Sequence, residues 1–147
     1  MMNLSKDCRE FIALLRSQGV DFLVVGAAAL AAHGRPRYSG DVDFWIRCDA
    51  DTAAKMERVI ESFGFASTKL RAADFAKADQ VIQLGVAPNR IDILTGLTAL
   101  KFDDAWAKRV DVQIDGILLP VLDRESFRVN KAALGRNKDL ADIEDLV

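Results

Sequence analysis

Near the start of the chain Cys8, Phe11, Ile12 and Leu15 recur three or four residues apart, which predicts a helix buried along one stripe. Gly19 follows where such a helix needs a left-handed residue to end. Phe22 to Val25 is a nearly unbroken apolar run of the kind a doubly covered strand shows, and it leads into Gly26 and the alanine-rich stretch Ala27 to Ala32. That order predicts strand, tight turn and short helix. Gly34, Pro36 and Gly40 then punctuate a loop carrying Arg35 and Arg37, and Val42 to Arg47 resumes a strand rich in bulky β-formers.

Further along, Ala53, Met56, Val59, Ile60 and Phe63 fall on one face of a helix expected over Thr52 to Phe63, ended by Gly64 and capped by Asp51 or Thr52. Val81 to Val86 and Arg90 to Leu94 read as strands, and the short link through Ala87, Pro88 and Asn89 suits antiparallel neighbours. Phe102 to Arg109 is expected to be helical. Val110 to Ile114 and Ile117 to Val121 flank Asp115-Gly116, a two-residue hairpin signal. One helix is expected from Asp123 to near Gly135, and another from Asp139 to Leu146.

Composition narrows the class. Half of the 147 residues are hydrophobic and 29% are charged, with three prolines and no repeat, which predicts one ordinary globular domain over residues 1–147. A formal net charge of −2 gives no overall basic field for nucleic acid or anionic membrane. The charges spread through the first nineteen residues are wrong for a secretory signal, and no run approaches the ~20 apolar residues of a membrane span, so a cytoplasmic location without membrane contact is expected. Cys8 and Cys48 lack the paired short spacing of a zinc site and are expected to be buried thiols.

The candidate chemistry lies in carboxylates. In Asp41-Val42-Asp43 the two acids are separated by one residue, so on a strand they share a face while Val42 points to the other layer. Asp92 interrupts the apolar run around Ile91 and Ile93 and needs a polar reason to be there. If the strands at 42–47 and 90–94 are neighbours, three anions converge, and like charges that close raise one another's pKa unless cations neutralise them. Mg²⁺, or Mn²⁺, takes such hard oxygen ligands. A turn opening a helix at Gly26 would present backbone N–H groups to phosphate. A D-x-D pair alone also reads as a solvated strand end, and Gly26 alone as a plain tight turn.

Together, FLVVGAAALAAHGRPRYSGDVDFWI resembles the DNA polymerase β-like nucleotidyltransferase superfamily. Its pattern is a strand, Gly followed by Gly or Ser, about a dozen residues, then acids at i and i+2. Gly26-Ala27 and Asp41-Val42-Asp43 match that spacing, Asp92 falls at the third carboxylate, and Arg37, Ser39, Asp41 and Asp43 resemble the R-x-T-x-D-x-D form of small bacterial members. The tail NKAALGRNKDLADIEDL is similar to the abortive-infection (AbiEii-type) toxin branch through Lys131, Arg136, Asp139 and Asp142. Ala27 departs from the pattern by lacking a hydroxyl.

The resemblance implies a mixed α+β nucleotidyltransferase fold, a mixed sheet flanked by helices and closed by a C-terminal helical pair. It implies transfer of a nucleoside monophosphate from an NTP such as ATP to a hydroxyl of RNA (a tRNA end among them), protein or a small molecule, with release of pyrophosphate. Asp41, Asp43 and Asp92 would be the catalytic and metal-binding residues, and Gly26, Ala27, Lys131 and Arg136 the nucleotide-binding ones. A noncatalytic nucleotide-binding or toxin–antitoxin partner module is the rival reading, and a structural protein with solvated acids a third. Asp139 and Asp142 read equally as salt-link partners of Lys131 or Arg136. His33 is expected to be a bystander, Arg35 and Arg37 either a phosphate contact or a solvated loop, and Trp45 and Trp106 core residues.

Overall fold

A computed structural model describes residues 3–34, 41–64, 69–85 and 90–145. Arg35, Pro36, Arg37, Ser39 and Gly40, the turn at Ala87 to Asn89, Val86 and Leu146 lie outside them. Helix α1 (Lys6–Ser17) starts at Ser5, whose hydroxyl accepts from Cys8 N, and buries Cys8, Phe11, Ile12 and Leu15 as the periodicity predicts. Gly19 takes φ +70° just past its end. β1 (Phe22–Val25) is buried at every position and runs into α2 (Gly26–Ala32).

β2 (Val42–Ile46) leads to α3 (Ala50–Phe63), which is capped two to three residues earlier than the sequence suggests. Asp49, not Asp51 or Thr52, is the cap, accepting from Thr52 N at 2.7 Å. A single helical turn, α4 (Ala72–Phe75), buries Phe75 beneath α3 and carries no periodic signal of its own. β3 (Val81–Leu84) and β4 (Ile91–Leu94) are antiparallel neighbours as expected. α5 (Phe102–Ala107) is shorter than its predicted span, and β5 (Val110–Ile114) and β6 (Ile117–Val121) form the hairpin, with Asp115 at φ 49° and Gly116 at φ 81°. Both positive angles suit a type I′ turn. α6 (Arg124–Leu134) is capped by Asp123 and closed by Gly135, and α7 (Asn137–Asp145) begins two residues before its expected start.

The described strands form one mixed sheet in the order β3-β4-β2-β1-β6-β5. β2 runs antiparallel to β1 and parallel to β4, and β1 runs parallel to β6. Strand alternation divides this sheet into two faces. Phe22 and Phe44 belong to one, where the Phe44 ring meets Phe11 of α1 at 5.7 Å and Phe22 at 5.5 Å. Leu23, Val25, Trp45 and Leu94 belong to the other, which also carries the strand acids. There Trp45 meets Phe102 of α5 edge-on at 5.2 Å, so Trp45 is core, and Trp106 stacks on Phe102 at 5.8 Å. The second face is therefore apolar at the end where β2 finishes and acidic at the end where it begins.

Cys8 is fully buried, with its thiol pKa pushed up to about 12 by burial, but Cys48 is only half-buried, its Sγ on Ala76 O. Cys48 lies two residues past the end of β2, outside the sheet whose faces are covered. Among the described residues no helix is long and apolar enough to cross a membrane.

Candidate functional site

The register of the sheet brings the predicted acids together. Asp43 of β2 stands directly beside Asp92 of β4 in the parallel pair, and opposite Val25 of β1. Val42, the first residue of β2, is 3% exposed on the other face, so Asp43 and the preceding Asp41 project to the same side. Asp92 is itself buried. The acids converge because one-residue spacing on β2 and in-register parallel pairing with β4 act together.

Their electrostatics follow from that crowding. The Asp43 carboxyl is pushed up to about 7, first by burial, then by the charge and hydrogen-bonding contact of Asp92 and the charge of Asp41, with Arg90 opposing. Arg90, immediately before β4, is the neighbouring cation. Its Nε donates to Asp92 Oδ1 at 2.8 Å, and its Nη2 donates to Asp92 Oδ2 at 3.1 Å and Asp41 Oδ2 at 2.9 Å. Sequence reasoning passed over Arg90, although its i, i+2 spacing from Asp92 was the signal that both would share a face.

Among the described residues no group of three acidic, His or Cys side chains is already gathered around one point, and Asp41 and Asp92 are turned to Arg90 instead. A hard divalent cation nevertheless fits the donor chemistry. Asp43 stands in register with Asp92, and Arg90 pairs directly with Asp41 and Asp92 only, so the donor set is three carboxylates served by one guanidinium.

Gly26 closes one side of this cluster. It sits at φ +67° where β1 turns into α2, and a Cβ there would stand 2.3 Å from Asp43 Oδ2. Only glycine lets the carboxylate lie against the turn. Ala27 follows in the first turn of α2, half-buried.

A cavity of about 160 Å³ opens between Gly26 and α6, lined among others by Val25, Asp43, Asn130, Lys131 and Arg136. Typical ligand pockets run roughly 300–1,000 Å³, so it admits a phosphate or a fragment rather than a whole nucleotide. A cavity of about 490 Å³ beyond the far end of β2, between Arg47, Thr95 and Lys101, shares Leu97 with it. The smaller one is the candidate site, because Asp43 and Lys131 both line it.

Lys131 and Arg136 are held by acids of α7. Asp139 is fully buried and accepts from Arg136 Nε at 2.6 Å, from Arg136 Nη2 at 3.2 Å and from Lys131 Nζ at 3.4 Å, and Asp142 lies 3.6 Å from the same Nζ. Burial lowers the Lys131 pKa and Asp139 opposes it. The salt-link alternative for Asp139 and Asp142 is thus what the structure contains. Arg136 remains largely exposed at the cavity edge.

Asn130 went unnoticed in the sequence. It is 5% exposed, lines the cavity and donates through Nδ2 to Thr98 O at 3.0 Å. A buried amide inside an amphipathic helix was the available signal. His33 is elsewhere engaged, with Nε2 at 2.8 Å from Leu122 O.

Among solved structures, a provisionally named nucleotidyltransferase (TM1012) from Thermotoga maritima is similar over 92% of this chain and 87% of that one, with a TM-score of 0.59 and 17% sequence identity. The chain has a nucleotidyltransferase fold. No protein-family model matches it, and no curated protein does. At this distance the likeness speaks for the nucleotidyltransferase fold, and the acids beside Gly26 are a feature of this chain's own geometry.

Proposed function

We propose that the chain is a metal-dependent nucleotidyltransferase that moves a nucleoside monophosphate from an NTP such as ATP to a hydroxyl acceptor and releases pyrophosphate. The observation that carries this reading is the in-register pairing of Asp43 with Asp92, with Asp41 joined to them through Arg90 and Asp43 lying against the Gly26 turn in a cavity it shares with Lys131. A structural role alone would not gather three carboxylates on a sheet face, where their mutual repulsion costs stability.

Asp41, Asp43 and Asp92 would hold Mg²⁺ or Mn²⁺. The bound metal supplies charge neutralisation at the phosphates and a lowered pKa for the attacking hydroxyl. The chain's own groups do the rest. Asp92 takes the proton of the acceptor hydroxyl as its oxygen bonds to the α-phosphorus, and the bond from that phosphorus to the bridging oxygen of the β-phosphate breaks. The electron pair leaves with pyrophosphate. The backbone N–H groups at Gly26 and Ala27 bind phosphate oxygens, and Lys131 and Arg136 bring positive charge to the same end, where Asn130 also lines the cavity.

The acceptor would be an RNA such as a tRNA end, a protein side chain or a small molecule, entering past Leu97 from the larger cavity. Membership of a toxin–antitoxin pair, as in the abortive-infection branch, belongs to the same proposal. One observation favours a second reading, a noncatalytic nucleotide-binding or partner module: Ala27 offers phosphate no hydroxyl. Removing one such contact costs roughly 0.5–1.5 kcal/mol, which weakens binding without abolishing it. Catalysis is therefore preferred.

Titration with each NTP, with and without Mg²⁺, tests the proposal. Saturable, Mg²⁺-dependent binding that Asp43→Asn removes is the expected result. Binding that is indifferent to both metal and Asp43 contradicts it.

A further inference from the structure

Among the described residues Arg90 is the cation that hydrogen-bonds both Asp41 and Asp92, and it divides its bonds between them unequally. It forks onto Asp92 with two bonds, at 2.8 and 3.1 Å, and reaches across to Asp41 with one, at 2.9 Å. A two-point guanidinium–carboxylate fork fixes direction as well as charge, whereas a single bond fixes neither strongly. Arg90 immediately precedes β4 and lies two residues from Asp92. Asp41 immediately precedes β2 and is tied to Arg90 only through Nη2. That contact therefore bridges the starts of two neighbouring strands at the place where the acids would otherwise repel.

We propose that Arg90 is a built-in counter-cation that occupies Asp41 in the metal-free protein and gives it up when a divalent ion binds, so that Arg90 sets how tightly this site takes its metal. The inference rests on the metal-binding reading of Asp41, Asp43 and Asp92. Two effects act in the same direction. An entering ion competes with the Nη2 bond for the charge of Asp41, and the guanidinium that stays on Asp92 repels the ion across a few ångströms. The arrangement also explains how the metal-free chain tolerates three crowded acids. Metal weakens when the internal cation is present, and the empty site is held together in return.

Two roles for Arg90 predict opposite signs. If it only orients Asp92, removing it disorders a ligand and weakens metal binding. If it competes with the ion, removing it tightens metal binding and loosens the metal-free protein. Arg90→Gln keeps an amide donor for Asp92 while deleting the charge, and Arg90→Lys keeps the charge while deleting the fork.

The test uses Mn²⁺ as the probe, with the free ion followed by electron paramagnetic resonance during titration of the full chain. Arg90→Gln should bind Mn²⁺ about tenfold tighter than wild type, and Arg90→Lys should stay within about threefold of it. In chelator, Arg90→Gln should melt below wild type, and Mn²⁺ should raise its melting temperature by more than it raises wild type's. Equal or weaker Mn²⁺ binding by a folded Arg90→Gln overturns the inference while leaving the metal site standing. If wild type and both variants bind no Mn²⁺, the metal reading itself fails and takes this one with it. Should Arg90→Gln not fold, nitrogen NMR of wild type decides: added Mg²⁺ should shift the Arg90 Nη resonances while Nε–H stays hydrogen-bonded. Unmoved Nη resonances at saturating Mg²⁺ overturn the proposal.

Discussion

The α-carbon of Gly26 and the carboxylate of Asp43 are packed so closely that a methyl group on the glycine would lie 2.3 Å from Asp43 Oδ2. The turn and the acid are one unit, although seventeen residues separate them in the chain. Gly26→Ala should lower stability by about 1–2 kcal/mol through its left-handed φ alone. It should also push Asp43 aside and weaken Mn²⁺ binding. Urea unfolding with a parallel Mn²⁺ titration checks this, and an alanine variant that binds metal like wild type would show that the close packing is incidental.

The raised pKa of Asp43 makes stability depend on pH in a defined direction. Its carboxyl shifts from an ordinary value of 3.8 to about 7 in the fold, so its neutral form is favoured there. The contribution is fully present below pH 4 and is lost as pH rises through 7. Asp49 and Asp139, whose pKa values are lowered, act oppositely and lose their contributions as pH falls below the ordinary carboxylate range. The metal-free protein should therefore be most stable near pH 5, with a melting temperature that declines toward pH 8. Asp43→Asn should flatten that decline. A decline of equal slope in Asp43→Asn would place its cause elsewhere.

Much of this was legible in the residues. Alternation put Asp41 and Asp43 on one face, and the apolar run around Asp92 marked it as an acid with a purpose. Asp115-Gly116 foretold the hairpin and Gly135 the end of α6. What escaped were relations across strands and single turns. The pairing of β2 with β4 is a long-range choice, so the sequence offered it only as a condition. α4 has one turn and thus no period, and the cap moved from Asp51 or Thr52 to Asp49 because boundary residues there are all competent caps. Arg90 was invisible as a partner of Asp41 because that contact spans 49 residues.

Asp139 is fully buried beneath two cations, one of them Lys131 at 14% exposure. Asp139→Asn should cost about 2–3 kcal/mol, less than a wholly buried pair because Arg136 is largely exposed. Lys131 would then lose one of its two acidic anchors, keeping Asp142, and NTP affinity should fall with stability. Thermal unfolding beside NTP titration checks both, and loss of neither would remove the α6–α7 ion cluster from the site.

Ala27 is where the chain departs from the pattern it resembles. If its backbone N–H faces phosphate, Ala27→Ser adds a hydroxyl contact and should tighten NTP binding by a factor of about 2 to 10, corresponding to ~0.5–1.5 kcal/mol. The gain should need Mg²⁺ and vanish in Asp41→Asn. Titration calorimetry of both proteins measures it, and weaker binding by the serine variant would argue against phosphate at that turn.

The most direct measurement follows an NTP labelled at its α-phosphate, incubated with Mg²⁺ and the chain in the presence of total cellular RNA, protein and small-molecule fractions. The label should pass to one acceptor class with equal release of pyrophosphate, and Asp43→Asn should lose the transfer while melting no lower than wild type. Absence of transfer to every fraction despite saturating NTP and metal, or transfer undiminished in Asp43→Asn, would contradict the assignment of Asp41, Asp43 and Asp92 as a catalytic site.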